Sequence, residues 1–149
     1  MREQFSEGLK TALKARDIRR TATLRAITAA IKDKDIAIRT ENRGPATNEE
    51  ILAIVQKMVK QREESFAIYA QAGRADLATV EKEEIDILNE FLPKALTDTE
   101  VDEAISAAIA KIGAAGAKDM AKVIASLKAD YPGRIDFAKA SGKVKVALG

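Results

Sequence analysis

The chain has 149 residues, enough for one domain or two small ones. It contains no Cys and no His, which excludes disulfides, a thiolate nucleophile, Cys-ligated zinc and the usual general base. A net charge of +2 conceals three blocks: residues 1–62 hold 14 Lys/Arg against 8 Asp/Glu, residues 63–103 hold 3 against 12, and residues 104–149 hold 8 against 3.

A basic–acidic–basic order either steers an anionic partner or pairs internally. The N-terminus, Met1 to Phe5, lacks the apolar run of a signal peptide. No stretch approaches the roughly 18 uncharged apolar residues of a membrane span. These features lead to the expectation of a cytoplasmic protein with no membrane partner. The 28 Ala residues, with many Lys, Arg, Glu, Ile and Leu, are helix formers and predict an all-α fold. A core rich in alanine calls for close helix packing.

The first predicted helix covers residues 3–16, with Phe5, Leu9, Ala12 and Leu13 at helical spacing. A second runs from about residue 18 to 40 on the stripe Leu24, Ile27, Ile31, Ile38. Glu41 to Ala46 breaks the pattern with Gly44-Pro45 and reads as a loop. Thr47-Asn48-Glu49-Glu50 is a capping box that opens a long third helix. Its stripe is Ile51, Val55, Met58, Val59, Arg62, Phe66 and Tyr69, and Gly73 is its stop. A fourth helix starts near Asp76 with Leu77, Val80, Glu84, Leu88 and Phe91 in line and Ile85 and Ile87 flanking; Pro93 ends it.

Thr97-Asp98-Thr99-Glu100 is a second capping box, opening a helix with Val101, Ile105, Ile109 and Ile112 inward. After Gly113 and Gly116, a helix from Lys118 to Asp130 turns Met120, Val123, Ile124 and Leu127 inward. Tyr131-Pro132-Gly133 is a turn, and a last helix from Asp136 to Leu148 buries Phe137 and Val144. The predicted layout is an N-terminal helical domain, residues 1–93, with long amphipathic helices, followed by a small three-helix C-terminal tail domain, residues 94–149.

Three constellations have chemical potential. The acidic run Glu81, Glu83, Glu84, Asp86 and Glu90 places carboxylates on one helix, but no loop completes the ligand shell of a hard cation. Lys60 and Glu64 are spaced as an i,i+4 pair that supports the helix by itself, and the alternative for Lys57 and Lys60 is phosphate contact. The C-terminal set Lys118, Lys122, Lys128, Arg134, Lys139, Lys143 and Lys145 suits phosphate contacts with little base readout. Only Tyr131 and Phe137 interleave with it, so a structured RNA fits better than stacked single-stranded bases. No glycine-rich phosphate loop, nucleophile elbow, cofactor pattern or metal-ligand cluster is present, and no catalytic, metal or cofactor residue is assigned.

Several segments, in order, resemble the YqeY-like proteins of the GatB/YqeY family. They are Leu24-Arg25-Ala26-Ile27, Lys57-Met58-Val59-Lys60-Gln61-Arg62-Glu63-Glu64-Ser65, Ala72-Gly73-Arg74-Ala75-Asp76-Leu77-Ala78, Glu83-Glu84-Ile85-Asp86-Ile87-Leu88 and Phe91-Leu92-Pro93. Lys118 to Ile124 and Gly133 to Asp136 continue the likeness. The resemblance implies an all-helical protein of two parts, related to the helical and tail regions of the B subunit of the glutamine-dependent aminoacyl-tRNA amidotransferase. It further implies tRNA as a partner, contacted through Lys118, Lys122 and Arg134, and an accessory role beside amidotransferase or aminoacyl-tRNA synthesis proteins. The family association is with carbon–nitrogen ligase activity using glutamine as amido-N-donor, yet the catalytic part of that subunit is not visible in this sequence. Ala121 and Ala125 stand where the family favours Gly, and alanine keeps an RNA backbone farther from that helix. The alternative reading is a protein–protein adaptor without RNA binding, whose acidic residues 81–103 dock a basic partner.

Overall fold

The computed structural model describes residues Met1–Gly149 and is all-α. Its helices are α1 (Arg2–Lys14), α2 (Ile18–Ile38), α3 (Asn48–Gln71), α4 (Ala75–Asn89), α5 (Asp98–Ile112), α6 (Met120–Asp130) and α7 (Phe137–Leu148). The chain divides into two compact units, Met1–Leu92 and Pro93–Gly149.

In the first unit, α1 ends in a tight turn in which the Asp17 N–H donates to the Ala12 carbonyl at 3.0 Å. The Asp17 carboxylate then caps α2 by accepting from the Arg20 N–H. Leu24, Ile27 and Ile31 of α2 meet Ile51 and Val55 of α3, Leu88 of α4 and Phe5 of α1 in one buried cluster. Phe5 and Phe91 sit 4.9 Å apart, centroid to centroid, and tie the two ends of the unit together. The Thr47–Glu50 capping box is complete in both directions. Between α3 and α4, Gly73 has φ +72° and the Arg74 N–H donates to the Tyr69 carbonyl at 2.9 Å. That is the left-handed termination a helix uses before reversing, so Ala72, Gly73 and Arg74 form the turn of a helical hairpin.

Some expected core positions are not buried. The first helix stops at Lys14, two residues early, and Leu13 is 48 % exposed. On α3 burial runs from Ile51 to Val59 and then gives out, leaving Phe66 exposed. The residues of α4 that turn inward are Ala78, Ile85 and Leu88, while Leu77 and Val80 are half-buried. Ile85, expected at the flank, is a core residue. The cause is positional: the buried cluster of this unit holds no residue between Val59 and Ile85, so the far end of the α3–α4 hairpin has less to pack against.

The second unit packs α5, α6 and α7 around Val101, Ile105, Val123, Leu127, Ile135 and Val144. Ala104, Ala108 and Ala140 are buried among them, which brings these helices close together. Ile109, Ile112, Met120, Ile124 and Phe137 are half-buried around this core. The Thr97–Glu100 box caps α5, and Gly113, at φ +73°, terminates it.

Candidate nucleic-acid interface

Lys118 was expected on the helix that carries Lys122. It lies instead in a 3-10 turn, Ala117–Asp119, just before α6. Asp119 shapes that turn: its carboxylate accepts from the Ala115 N–H at 3.1 Å. Lys118 is exposed and makes no ion pair. Lys122, one turn into α6, is also exposed, and its ammonium stands 3.8 Å from the Asp119 carboxylate. With the Lys122 side chain exposed and the separation this long, the pair contributes little and leaves the ammonium open to a ligand phosphate.

Arg134 is placed differently. It follows α6, so the length of that helix separates it from Lys118 and Lys122. Its Nε donates to the Lys94 carbonyl at 3.0 Å, and its own carbonyl accepts from the Leu96 N–H at 2.9 Å. The guanidinium carbon lies 6.0 Å from the centre of the Tyr131 ring. Arg134 thereby clamps the segment that leads into α5. Glu100 lies within its field, and the Glu100 carboxyl is held below its ordinary value, first by hydrogen bonds from Thr97 and then by Arg134 and Lys94.

The remaining cations of this unit separate into engaged and free. Lys143 donates to Asp102 at 3.0 Å, and Lys128 sits 5.5 Å above the Phe137 ring. Lys139 and Lys145 on α7 are exposed with no ion pair. Lys139 and Lys145, with Lys94 and Lys111, are thus further exposed, unpaired cations of this unit. Lys139 and Lys145 belonged to the basic set in the sequence, but nothing there distinguished them from the engaged lysines.

The acidic run of α4 is largely used within the first unit. Arg19 donates to Glu83 at 3.1 Å, Arg20 lies 2.7 Å from Glu90, and Lys82 donates to Asp86 at 3.1 Å. Arg62 donates through Nε to Glu84 at 2.6 Å, and both side chains are mostly buried. Arg62 and Glu84 are the charged members of two apolar stripes, and their pairing explains why charge is tolerated there. Lys57 and Lys60 are exposed, and the expected Lys60–Glu64 pair is not formed. No group of three or more acidic side chains is arranged to hold a metal ion.

This geometry defines an all-α protein of two helical units, the second of which presents solvent-facing lysines. The family model described as Yqey-like protein matches residues 2–148, and the chain belongs to that family. Among curated proteins it is similar to "Altered inheritance of mitochondria protein 41, mitochondrial" of Clavispora lusitaniae, 34% identical over 101 residues, 66% of this chain and 56% of the relative. The Saccharomyces cerevisiae (strain YJM789) protein of that name is 28% identical over 94 residues, 63% of this chain and 49% of the relative. The Eremothecium gossypii protein is 31% identical over 88 residues, 59% of this chain and 46% of the relative. The chain thus spans about half the length of the curated relatives it matches. These names also correct one expectation: the relatives are mitochondrial proteins, so the cytoplasmic location read from the N-terminal residues does not stand.

Proposed function

We propose that the second unit binds tRNA through phosphate contacts and that the chain is an accessory in glutamine-dependent tRNA amidation or aminoacyl-tRNA metabolism. The observation that carries this reading is that the exposed lysines of that unit are largely unpaired: Lys94, Lys111, Lys118, Lys139 and Lys145 have no carboxylate within 4 Å, and Lys122 has only Asp119, at 3.8 Å. Uncompensated cations on a rigid helical scaffold suit a polyanion whose backbone is read by charge and shape. Membership of the Yqey-like family supports the reading through the likeness of the tail to a tRNA-contacting region. In this reading Lys118 and Lys122 touch phosphate, and Arg134 holds the loop before α5 while its remaining N–H groups face the ligand.

The adaptor alternative drew on a free acidic surface on residues 81–103. Glu83, Glu84, Asp86 and Glu90 pair with cations of their own unit, and Asp98 and Asp102 with Lys143, which leaves Glu81 and Glu103 as the acidic residues of that stretch with neither an ion pair nor a capping role; the tRNA reading is therefore favoured. The test is charge reversal in two separate pairs, Lys118→Glu with Lys122→Glu and Lys139→Glu with Lys145→Glu. Each should weaken binding of total tRNA in a titration at moderate salt. Unchanged affinity in both pairs would remove the proposed surface.

A further inference from the structure

The helix α2 is apolar on two opposite faces. One face, with Leu24, Ile27, Ile31 and Ile38, is buried in the core of the first unit. On the other, Ile18, Ala22, Arg25, Ala29, Lys32 and Ile36 follow one another in alternating steps of four and three residues. That spacing places all six on one straight stripe, the arrangement with which a helix meets a second helix. All six are exposed: Ile18 is 81 % and Ile36 50 % accessible, among the most exposed large aliphatic side chains of the chain.

The stripe has a defined shape and charge. Ala22 and Ala29, seven residues apart, leave two shallow seats between the larger residues. At its N-terminal end Leu13, Arg16, Asp17, Ile18, Thr21, Ala22 and Arg25 surround an open hollow of about 340 Å³, in which the Asp17 carboxylate is engaged by the Arg20 N–H and lies 3.8 Å from the Arg20 side chain. Arg25 and Lys32 lie in the line of the stripe and form no ion pair; Arg16, on the rim of the hollow, forms none either. Arg16 is held at φ 54°, a left-handed position that glycine takes without penalty, and there its cation stands in the turn at the foot of the stripe. On α2 itself the carboxylates are Asp35, engaged by Arg2, and Asp33, adjacent to Lys32 but off the line of the stripe.

We infer that this stripe docks an acidic amphipathic helix of a partner protein, with large apolar side chains over Ala22 and Ala29 and carboxylates against Arg25 and Lys32. Charge complementarity selects that occupant. A second copy of this chain, laid either way along the stripe, would bring Arg25, Lys32 and their two equivalents into one seam whose only carboxylate, Asp17 at its end, is already engaged by Arg20, an arrangement that buried cations oppose. A nucleic acid would leave four of the six positions, Ile18, Ala22, Ala29 and Ile36, without a chemical counterpart. This site is separate from the lysines of the second unit, and it stands or falls independently of tRNA binding.

The test uses the full chain and two synthetic helical peptides of α2's own length. Both carry leucines in the same alternating steps; one has Glu opposite Arg25 and Lys32, the other Lys. Binding is followed by fluorescence anisotropy of the labelled peptide. The chain should bind the Glu peptide at least about tenfold more tightly than the Lys peptide, and Arg25→Glu with Lys32→Glu should reverse that preference. If circular dichroism shows that the reversed chain has lost helix, Arg25→Gln with Lys32→Gln serves instead and should abolish the preference. Equal binding of the two peptides, or a preference that ignores the substitutions, overturns the proposal. So does a dimer in light scattering that Ala22→Glu disperses, which gives the stripe to a second copy. Loss of tRNA binding in the reversed chain without peptide discrimination gives it to RNA, and also overturns the proposal.

Discussion

Replacing Arg62 by Met keeps the aliphatic stem and removes the charge that meets Glu84. The Arg62 and Glu84 side chains are 19 % and 16 % exposed, and the Nε–carboxylate distance is 2.6 Å. Breaking a fully buried pair costs about 3–5 kcal/mol, and an exposed one about 0–1 kcal/mol. At this burial an intermediate cost applies, and Arg19, 3.8 Å from the same carboxylate, offsets part of it. The expected loss is about 2 kcal/mol, which in a unit of this size lowers its melting temperature by roughly 10 °C. Urea unfolding of the full chain, followed by circular dichroism, measures it. In a cycle with Glu84→Gln, the double variant should lose less than the sum of the singles, with a coupling of at least about 1 kcal/mol. Costs that add to within about 0.4 kcal/mol would refute the idea that these two residues act as one clamp across α3 and α4. A fall in tRNA affinity without a fall in stability would refute it in another way, by making Arg62 a ligand contact.

Acid should weaken the first unit through two carboxylates. Asp35, held first by the Arg2 guanidinium and next by the Ala46 N–H, has its pKa lowered from 3.8 to about 2, and Glu50, held first by Arg43 and next by the Thr47 N–H, from 4.5 to about 2. A folded value below the unfolded one stabilises above the ordinary carboxylate range, and that stability is lost as pH falls through the folded value. The urea midpoint should therefore decline from about pH 4.5 toward about pH 2, and Asp35→Asn with Glu50→Gln should flatten the decline. Gly142 lies inside α7 with open space where a Cβ would stand, so Gly142→Ala should stabilise the second unit by about 0.5–1 kcal/mol in calorimetry. Arg134→Met should destabilise the second unit by about 1 kcal/mol through loss of the Lys94 contact. Lys118→Glu with Lys122→Glu, by contrast, should leave stability within about 0.5 kcal/mol, as measured by the same unfolding titration.

The punctuation of the helices was legible because it is local chemistry. Thr47 and Thr97 each open a helix with a glutamate three residues on, and Gly73 and Gly113 adopt the left-handed stops that their positions suggested. Burial was less legible, because a stripe is buried only where another element lies over it. Phe66 continues the α3 stripe faultlessly in sequence, yet lies beyond the reach of the core. Arg62 and Glu84 were visible as charges on apolar stripes; what could not be read was that they meet each other across the hairpin. In the candidate interface the sequence named the right class of residue but not its state. Lys143 and Lys145 are two positions apart, and only the fold turns the first onto Asp102 and leaves the second in solvent. The outer face of α2 was missed for a related reason: its buried face satisfied the helical rhythm and drew attention away from a second rhythm on the other side.

Whether the second unit reads tRNA through its phosphates is decided by a filter-binding titration of the full chain against total tRNA across a salt series. With Lys118, Lys122, Arg134, Lys139 and Lys145 each neutralising about one phosphate, log affinity should fall linearly with log salt at a slope of about −4.5, and Lys118→Glu with Lys122→Glu should reduce that slope by about 2. Absence of binding at low salt, or binding whose slope the substitutions leave unchanged, would rule out tRNA recognition by these lysines.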